Sequence, residues 1–478
     1  MDGHPAATAA QSDLRSFFAP MSIALIGASA DSLSISARPL RMLAQHGYPG
    51  RLYPVNPRHS SLNGRTVYAS IGAVPERVDL ALVAVPALLV PSVLRECAAA
   101  GVAYAVVLSS GFAETGPDGK RLEAEIADVI RATSLRVCGP NAEGFFYPAG
   151  RVCATFSPAV DPEHGYVLQK AGPVAVVSQS GGLGFALLNR GQDLGLTCGA
   201  VVSTGNEVDL GWLDYVEYLL DEPAIKVVLG FVEGLRDRQR LSEVARKAAR
   251  LRKPIVVAKM GRSEVGRRAA AAHTGSDTGQ DDEYSAEFRA QGILRVDDVD
   301  DMLDLAAIFS VGRLPAGRRL AVLTTSGGAG AWLADACAER GFELALPPAT
   351  VASEIRSFIP AYGSVGNPID ITAQAVFGGG FERALGLLAG SSDYDVVAGV
   401  GSMAREDRFL SSLPDLRAAT ESSTSSLLFY AYTQPSPAVM SALGELGIPC
   451  YPTPVRAARA LAGAQWYREF LDREAGAA

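Results

Sequence analysis

The sequence predicts an α/β protein in which parallel, doubly wound sheets form three domains. From Ser22 onward, short β-branched runs alternate with segments rich in alanine and leucine at helical spacing, which is typical of βαβ units. The length of 478 residues exceeds one ordinary core, because a domain usually takes ~100 to 200 residues. An internal repeat is also visible, since residues 174–187 align without gaps on residues 320–333.

Five apolar runs predict the strands of the first domain, to which we assign residues 1–150. Each run is short and ends in small or turn-forming residues, as the strands of a Rossmann-like sheet do. The predicted strands are Ile23–Ile26, Leu52–Val55, Leu80–Val83, Ala105–Leu108 and a short one around Val137. The first strand breaks at Gly27-Ala28-Ser29, a tight turn that leads into a helix.

The second and third domains are predicted from the points where the alternation stops and starts again. A stretch with glycine and proline, residues 147–172, separates the first domain from a new strand at residues 174–177. A second break at residues 315–317 precedes another strand at residues 320–323. We therefore assign residues 165–314 and 318–478 to two further domains, which the internal repeat predicts to be duplicated flavodoxin-like folds.

Both repeated segments run from an apolar strand through a Ser-Gly-Gly turn into a helix, so backbone N–H groups at the helix start converge on one point. In the first of them, small residues would let a phosphate approach the backbone, and two serine hydroxyls add donors. A helix cap that satisfies only its own amides is an equally good interpretation of the turn alone. The candidate phosphate-binding residues are Ser178, Gln179, Ser180, Gly181 and Gly182.

Composition excludes several classes of function. The 51 acidic residues exceed the 43 basic ones, giving a formal net charge of −8, so a nucleic-acid partner is not expected. No apolar run approaches the ~18 residues that cross a bilayer, and residues 1–12 lack the apolar core of a signal peptide. We expect a cytoplasmic protein without a membrane segment. The six cysteines show no metal-ligand spacing, so no metal site is expected.

His273 is the histidine whose surroundings suggest chemistry. It follows a run of alanines and precedes Thr274 and Gly275, and three arginines lie upstream, at positions 262, 267 and 268. A neutral imidazole in such small-residue surroundings can attack a phosphoryl group if an acceptor holds its other nitrogen. An ordinary loop or capping histidine is the competing interpretation, and by residue type alone it is the more frequent one.

The chain resembles the α subunit of ADP-forming acetyl-CoA synthetases and, more distantly, that of succinyl-CoA synthetase. The resemblance covers nearly the whole length, and its motifs occur in the family's order. The resembling segments are Gly27–Ser29, Tyr53–Pro57, Val85–Ala87, Ser110–Gly116, Gly139–Asn141, Val177–Gly182, Ser203–Asn206, Val232–Gly234, Gly261–Glu264, Ala271–Gly275 and Gly366–Asp370.

This resemblance implies a CoA-binding first domain followed by two succinyl-CoA synthetase-like domains. It implies a phosphohistidine at His273 and a carboxylate partner for the imidazole at Glu233. The residues expected to bind coenzyme A are Gly27, Ala28, Ser29, Asn56, Pro57, Val85, Pro86, Ser110, Gly111, Phe112 and Asn141.

In the family's reversible reaction, a carboxylic acid, CoA and ATP give acyl-CoA, ADP and phosphate through a phosphohistidine and an acyl phosphate. No ATP-grasp region is recognisable in the three predicted domains. The resemblance therefore implies a separate ATP-grasp β subunit that brings ATP or ADP and magnesium, in a hetero-oligomer such as α2β2. No motif encodes the size of the acid, so acetate, branched and aryl acids all stay open.

Departures from the family pattern are visible, and those at Ala272 and in the loop after Gly275 keep an alternative open. The family's serine before the phosphohistidine is Ala272 here, and the cysteine that usually follows Gly-Pro-Asn is Ala142. The loop after Gly275 is also more polar than the family's. The alternative is a non-catalytic CoA-binding regulator of the same fold. A nicotinamide oxidoreductase is a third hypothesis, disfavoured because the Gly27 turn lacks the GxGxxG spacing.

Overall fold

The computed structural model describes residues 13–31, 34–274, 279–311 and 313–477, without the side chains of residues 271–274 and 477. The chain forms two compact units. The first comprises the residues up to Asn189 together with Thr197–Leu251 and Lys259–Glu287. The second comprises Arg190–Leu196, Arg252–Ala258 and the residues from Phe288 onward.

The first sheet contains the five strands that the apolar runs predicted, and a two-stranded ribbon precedes its third strand. All neighbours in this sheet pair in parallel, in the order β2-β1-β5-β6-β7. The strands are β1 Ser22–Ile26, β2 Arg51–Val55, β3 Ser61–Leu62, β4 Arg65–Thr66, β5 Leu80–Val83, β6 Tyr104–Val107 and β7 Arg136–Cys138. The helices are α1 Arg15–Phe18, α2 Arg38–Gln45, α3 Val90–Ala99 and α4 Pro117–Ala132.

Helix α4 shows how the sequence builds these layers. Pro117 starts the helix, where its fixed φ suits the first turn and its missing N–H costs nothing. Leu122, Ile126 and Val129 recur at helical spacing and are buried in the core of the first sheet. The alternation of apolar strands with one-sided apolar helices therefore produces the predicted α/β layers.

The second sheet is centred on β10. In the first unit, β10 pairs in parallel with β11 and β12, and β8 pairs antiparallel with β11 and β9; in the second unit, β13 pairs in parallel with β14. The strands are β8 Gly144–Tyr147, β9 Val152–Thr155, β10 Val174–Ser178, β11 Cys198–Ser203, β12 Val227–Val232, β13 Ile255–Lys259 and β14 Leu294–Val296. The helices are α5 Gly181–Gln192, α6 Trp212–Asp221, α7 Arg238–Leu251, α8 Glu264–Thr274, α9 Asp281–Ala290 and α10 Val299–Val311.

Strands β8 and β9 were not predicted. The glycine and proline of residues 147–172 predict an interruption between domains, but a hairpin starts at Gly144 and ends at Thr155. Its two strands are joined by a tight turn and pair antiparallel, so they lack the helical spacer that marks a βαβ unit in sequence.

The third sheet lies within the second unit and is parallel throughout, in the order β16-β15-β17-β18-β19. Its strands are β15 Leu320–Thr324, β16 Ile369–Asp370, β17 Val396–Gly401, β18 Ser426–Ala431 and β19 Cys450–Tyr451. Its helices are α11 Gly327–Ala338, α12 Ala349–Arg356, α13 Thr372–Ala375, α14 Gly380–Ala389, α15 Glu406–Ser411, α16 Leu413–Glu421, α17 Pro437–Glu445 and α18 Pro454–Ala477. Short 3₁₀ helices of the chain are Ile71–Ala73, Ala87–Leu89, Ala113–Thr115, Pro148–Gly150, Pro158–Val160, Pro162–His164 and Val376–Gly378.

The same switch in strand order occurs in each sheet. The first parallel strand has the next one on one side and the following one on the other, so β1 lies between β2 and β5, β10 between β11 and β12, and β15 between β16 and β17. In doubly wound folds, ligands bind in the crevice outside the carboxyl ends of the strands at such a switch. The structure confirms the predicted α/β class and places one such crevice in each sheet.

None of the helices in the described ranges has the length and apolar character needed to cross a membrane. Within the same ranges, no group of three or more His, Cys, Asp or Glu side chains is placed to hold a metal ion.

Candidate functional site

The residues predicted to bind coenzyme A meet at one edge of the first sheet. They directly follow the carboxyl ends of β1, β2, β5, β6 and β7, and these strands are parallel. Parallel strands end at the same edge, which is why segments far apart in sequence become neighbours.

Gly27 shows why the first turn needs a glycine. Its φ is +92°, and a Cβ at this position would lie 2.3 Å from the carbonyl oxygen of Ala84. A side chain would therefore collide with the backbone that follows β5. The backbone after β1 and the backbone after β5 are thus in direct contact next to the switch in strand order.

Hydrogen bonds tie the neighbouring turns of this edge together. The Asn56 amide donates to the carbonyl of Ala28 (2.8 Å), and the Ser109 hydroxyl donates to the carbonyl of Val85 (2.5 Å). The backbone N–H of Asn141 donates to the carbonyl of Ser109 (2.9 Å). The edge is therefore a connected surface of small residues and polar backbone groups.

Phe112 differs from the other candidate cofactor-binding residues. Its side chain is fully buried in the core of the first sheet, and its N–H, like that of Gly111, donates to the Glu114 carboxylate. Although burial opposes this, hydrogen bonds from Asn206 and from these two N–H groups lower the pKa of Glu114. The ring stabilises the domain and has no exposed face to offer a ligand.

The turn after β10 forms the candidate phosphate site. Helix α5 begins at Gly181 directly after Ser180, so its N-terminal amides lie at the carboxyl edge of the second sheet. Ser178 is completely buried, and its hydroxyl donates to the carbonyl of Ser180, which fixes the turn. The Ser178 hydroxyl is therefore used inside the protein, contrary to its expected role as a direct donor to phosphate.

The side chain of Gln179 also points to a protein partner. Its amide oxygen accepts the backbone N–H groups of Glu233 (2.5 Å) and Gly234 (3.2 Å), and its amide nitrogen donates to the carbonyl of Gly234 (2.8 Å). These bonds attach the phosphate turn to the segment that follows β12. Gln179 thus fixes the backbone from which the Glu233 side chain projects.

Glu233 itself is 8% exposed and has a buried lysine next to its backbone. Lys259, at the end of β13, donates from Nζ to the carbonyl of Glu233 (2.8 Å) and of Met260 (2.6 Å). Its ammonium also lies 4.7 Å from the centre of the Tyr284 ring, an arrangement that stabilises a buried cation. Lys259 thus holds the backbone of Glu233 through its carbonyl, and it fixes the segment that carries this side chain.

A second buried carboxylate, Glu207, lies beneath this turn. One of its oxygens accepts hydrogen bonds from the Thr204 hydroxyl (2.7 Å) and the Trp212 N–H (3.0 Å). Burial raises the pKa of Glu207 to about 7, although hydrogen bonds from Thr204 and Gln179 and the charge of Arg236 oppose this. Glu207 therefore changes its charge near neutral pH, beside the side chain that holds Glu233 in place.

A third carboxylate, Glu143, lies at the start of helix α5. A Cβ on Gly181 would be 2.6 Å from the Glu143 Oε2 atom, so the carboxylate sits where a helix N-terminus attracts anions. Burial raises the pKa of Glu143. Glu143 therefore occupies a position that an incoming phosphoryl group would approach.

Helix α8 carries His273 near its C-terminal end, but the side chain of this residue lies outside the described part of the structure. Its predicted phosphorylation and its predicted contact with Glu233 therefore stay predictions. Cys138, near the turn at residues 139–141, is buried, and burial raises the pKa of its thiol to about 12. A group with this pKa has no nucleophilic thiolate near neutral pH.

Sequence reasoning missed Glu143, Glu207 and Lys259. Glu143 and Glu207 follow motifs that the sequence did single out, at residues 139–141 and 203–206, so an acid next to each motif was a usable signal. Lys259 ends an apolar strand and carried no comparable signal, since its surroundings come from distant segments.

Three family models match the chain in succession. A CoA binding domain matches residues 21–148, a succinyl-CoA ligase like flavodoxin domain matches residues 171–309, and a ligase-CoA domain matches residues 320–384. Together they cover the first sheet, the second sheet from β10 to β14 and the first two strands of the third sheet. The fold prediction of a CoA-binding domain followed by succinyl-CoA ligase-like domains is confirmed.

The chain is also similar to named proteins of archaea. It is 36% identical to the α subunit of acetate–CoA ligase [ADP-forming] I of Pyrococcus furiosus, over 94% of this chain and 96% of that one. It is 37% identical to acetate–CoA ligase [ADP-forming] I of Archaeoglobus fulgidus, over 80% of this chain and 53% of that one. The solved apo structure of acetyl-coenzyme A synthetase 1 from Candidatus Korarchaeum cryptofilum is 32% identical, with a TM-score of 0.84 over 97% of this chain and 99% of that one.

Proposed function

This chain belongs to the family of ADP-forming acyl-CoA synthetases, which are acid–thiol ligases. We propose that it is the α subunit, which binds CoA and the acid and carries the phosphoryl group between them. The proposed reaction converts a carboxylic acid, CoA and ATP to acyl-CoA, ADP and phosphate, and it is reversible. The three domains would occupy residues 1–150, 165–314 and 318–478.

The proposed CoA site is the carboxyl edge of the first sheet. Gly27 has no side chain where its turn meets the backbone after β5, so a nucleotide-like ligand can approach the backbone of this turn closely. Asn56 and Asn141 lie at its two ends. We assign the adenosine and pyrophosphate part of CoA to this surface and not to Phe112.

The observation that carries the proposal is the attachment of Glu233 to the phosphate turn through Gln179. A histidine that is transiently phosphorylated needs both an anion-binding turn and a carboxylate that holds its second ring nitrogen. The turn at Ser178–Gly182 and Glu233 supply these two groups from adjacent strands. With Ser178 and Gln179 engaged internally, the Ser180 hydroxyl and the amides at the start of α5 are the groups left to bind phosphate.

The proposed reaction proceeds in three steps. A ring nitrogen of His273 attacks the γ-phosphorus of ATP, and ADP leaves. A carboxylate oxygen of the acid then attacks this phosphorus, the P–N bond breaks, and an acyl phosphate forms. Finally the CoA thiolate attacks the acyl carbon, and phosphate leaves with the electrons of the C–O bond. Glu233 accepts a hydrogen bond from the other ring nitrogen throughout, which keeps the attacking nitrogen unprotonated.

A second subunit completes this proposal. The Pyrococcus furiosus relative is named as an α subunit, and this chain spans only 53% of the Archaeoglobus fulgidus relative. We propose that an ATP-grasp β subunit binds ATP and magnesium and forms a hetero-oligomer with this chain. We also propose that the complex is cytoplasmic, because its six buried, unpaired thiols are typical of proteins in a reducing compartment.

Phosphoryl transfer to His273 is the direct test. With the β subunit, magnesium and γ-labelled ATP, the chain should acquire an acid-labile, base-stable label. His273→Ala should abolish the label, and Glu233→Gln should slow labelling about 100-fold because an amide supports the imidazole poorly. Glu243→Gln, at an exposed position of α7, is the matched control and should label normally.

Coenzyme A binding, measured by calorimetry, should survive all three substitutions, which separates lost chemistry from lost folding. A label that persists in His273→Ala would refute the phosphohistidine. A chain that binds CoA but acquires no label with its β subunit would instead support the non-catalytic regulator.

A further inference from the structure

The third sheet has a cavity at its own switch in strand order. The cavity lies at the carboxyl ends of β15 and β17 and has a volume of about 240 Å³. Thr325 and Ser402, the residues that follow these two strands, both line it. Its position is therefore the one where doubly wound sheets bind ligands.

This cavity is the counterpart of the crevice that holds Gln179 and Glu233. The N–H of Gln179 donates to the carbonyl of Phe231, and the N–H of Thr325 donates in the same way to the carbonyl of Val400. Because β10 pairs with β12 as β15 pairs with β17, Thr325 corresponds to Gln179. By the same register, two residues past Val400, Ser402 corresponds to Glu233.

Short side chains leave this second crevice open. Gln179 spans its crevice with hydrogen bonds to residues 233 and 234, a distance that a threonine cannot reach. The Ser402 hydroxyl instead pairs with the Thr433 hydroxyl (3.1 Å). Two hydroxyl-bearing residues thus line the cavity at the positions where the first unit has a bridging amide and a carboxylate.

Aromatic rings form the apolar wall. Phe381 and Phe429 are buried and pack edge to face, with ring centres 5.8 Å apart. Phe377 stands at the mouth and is 82% exposed. An exposed phenylalanine beside an open apolar cavity is typical of a surface that a ligand covers.

Charges at the mouth indicate the polar end of such a ligand. Arg405 is ion-paired with Asp407 (2.7 Å). The Arg408 guanidinium lies over the Phe377 ring, 4.4 Å from its centre, and no carboxylate in the described ranges lies within ion-pair distance of it. Glu382 also lines the cavity. Arg408 would favour an anionic ligand, whereas Glu382 would favour a cationic one.

We infer that this cavity binds a small apolar carboxylate, with its hydrocarbon part among the phenylalanine rings and its carboxylate on Arg408. The volume of about 240 Å³ corresponds to about eight water-sized parts at ~30 Å³ each, so the ligand must be small. Arg408 is favoured over Glu382 as the recognition group because its stacking on Phe377 already orients the guanidinium at the mouth. The inference uses residues of the second unit alone and does not depend on the proposed phosphohistidine chemistry.

Calorimetry on the full chain with three matched probes tests this inference. Benzoate should bind saturably, while benzamide and benzylamine, which share the ring, should bind at least tenfold more weakly because they lose the charge-assisted contact. Arg408→Gln should weaken benzoate binding about tenfold. Thr325→Gln should abolish it, since the longer side chain fills the crevice as Gln179 does in the first unit.

Arg417→Gln, at an exposed position of α16, is the matched control and should bind benzoate like the natural chain. Circular dichroism of each variant shows whether it is folded. The inference is overturned if benzoate does not bind, if benzamide or benzylamine binds as tightly, or if folded Arg408→Gln binds benzoate unchanged. Each of these results leaves the labelling of His273 untouched, so the two proposals fail separately.

Discussion

The turns after β10 and β15 have the same backbone and different contents. In both, a hydroxyl at the strand end donates to a carbonyl two residues later, from Ser178 to Ser180 and from Thr324 to Ser326. In both, a carboxylate lies against the first glycine of the helix, Glu143 at Gly181 and Asp370 at Gly327. The crevice beside the first turn is filled by a polar network, whereas the crevice beside the second is open.

This difference depends on three positions. Counted from the ends of the paired strands, Gln179, Glu207 and Glu233 in the first unit correspond to Thr325, Gln374 and Ser402 in the second. Glu207 is buried, whereas Gln374 is exposed. The shared turn supplies a helix N-terminus that favours anions, and these three side chains decide whether the crevice holds a buried carboxylate or a cavity.

The largest effect should come from Glu207, because its pKa of about 7 compares with an ordinary value of 4.5. As pH rises from 4.5 to 7, the unfolded chain loses this proton before the folded one, so the free energy of unfolding decreases. Glu207→Gln stays neutral and should lack this decrease, which amounts to about 3 kcal/mol at most. Melting temperatures at pH 5 and pH 8 measure the difference between natural chain and variant.

Gln374→Glu is the matched control in the second unit and should show no comparable pH dependence, because an exposed carboxylate keeps its ordinary pKa. Parallel curves of stability against pH for the natural chain and Glu207→Gln would contradict the idea that a neutral buried acid distinguishes the first crevice.

The next effect concerns Gln179. Gln179→Thr gives the first turn the residue of the second and removes the bonds to residues 233 and 234. The rate of His273 labelling should fall about tenfold, since one or two hydrogen bonds of ~1 kcal/mol position Glu233. Calorimetric CoA affinity should not change. The exchange in the other direction, Thr325→Gln, should leave the labelling rate unchanged. An equal loss of labelling rate in both variants would refute the idea that only the first turn positions Glu233.

Much of this comparison could be predicted from the sequence. The gapless alignment of residues 174–187 on residues 320–333 already indicated two copies of one strand–turn–helix, because these contacts are local. Gln179 was assigned to phosphate from the same segment. Its partners in the structure, residues 233 and 234, follow another strand, β12, and nothing local in the sequence specifies which way a glutamine side chain turns.

The smallest effect should come from Glu143. Glu143→Gln removes a negative charge from the start of α5, so inorganic phosphate should bind about threefold more tightly, in line with ~0.3–1 kcal/mol for a charge near a helix end. Because burial raises the pKa of Glu143, the gain should be larger at pH 8 than at pH 6. Asp370→Asn is the control at the equivalent glycine. Calorimetric phosphate titrations measure both, and unchanged affinity in Glu143→Gln would exclude competition at this position.

The position of Glu143 at the start of α5 could not be predicted from the sequence. It is contributed by the segment before the β8–β9 hairpin, which the sequence did not predict, and it reaches Gly181 only because this hairpin pairs next to β11. The identity of the acid could be read directly, but its place at the helix start depends on antiparallel pairing that leaves no periodic signal.

Gly184 and Gly330 occupy matching places one turn into the two helices, and each faces the strand it follows. A methyl group at Gly184 would lie 2.8 Å from the Ser178 Cβ, and one at Gly330 would lie 2.6 Å from the Thr324 Cγ2. A side chain at either glycine would therefore collide with the strand, whereas the two turns carry different side chains, Gln179 and Thr325, beside the crevice. Sequence changes during evolution can therefore occur beside the crevice of either copy and alter what binds there, while the turn itself keeps its structure.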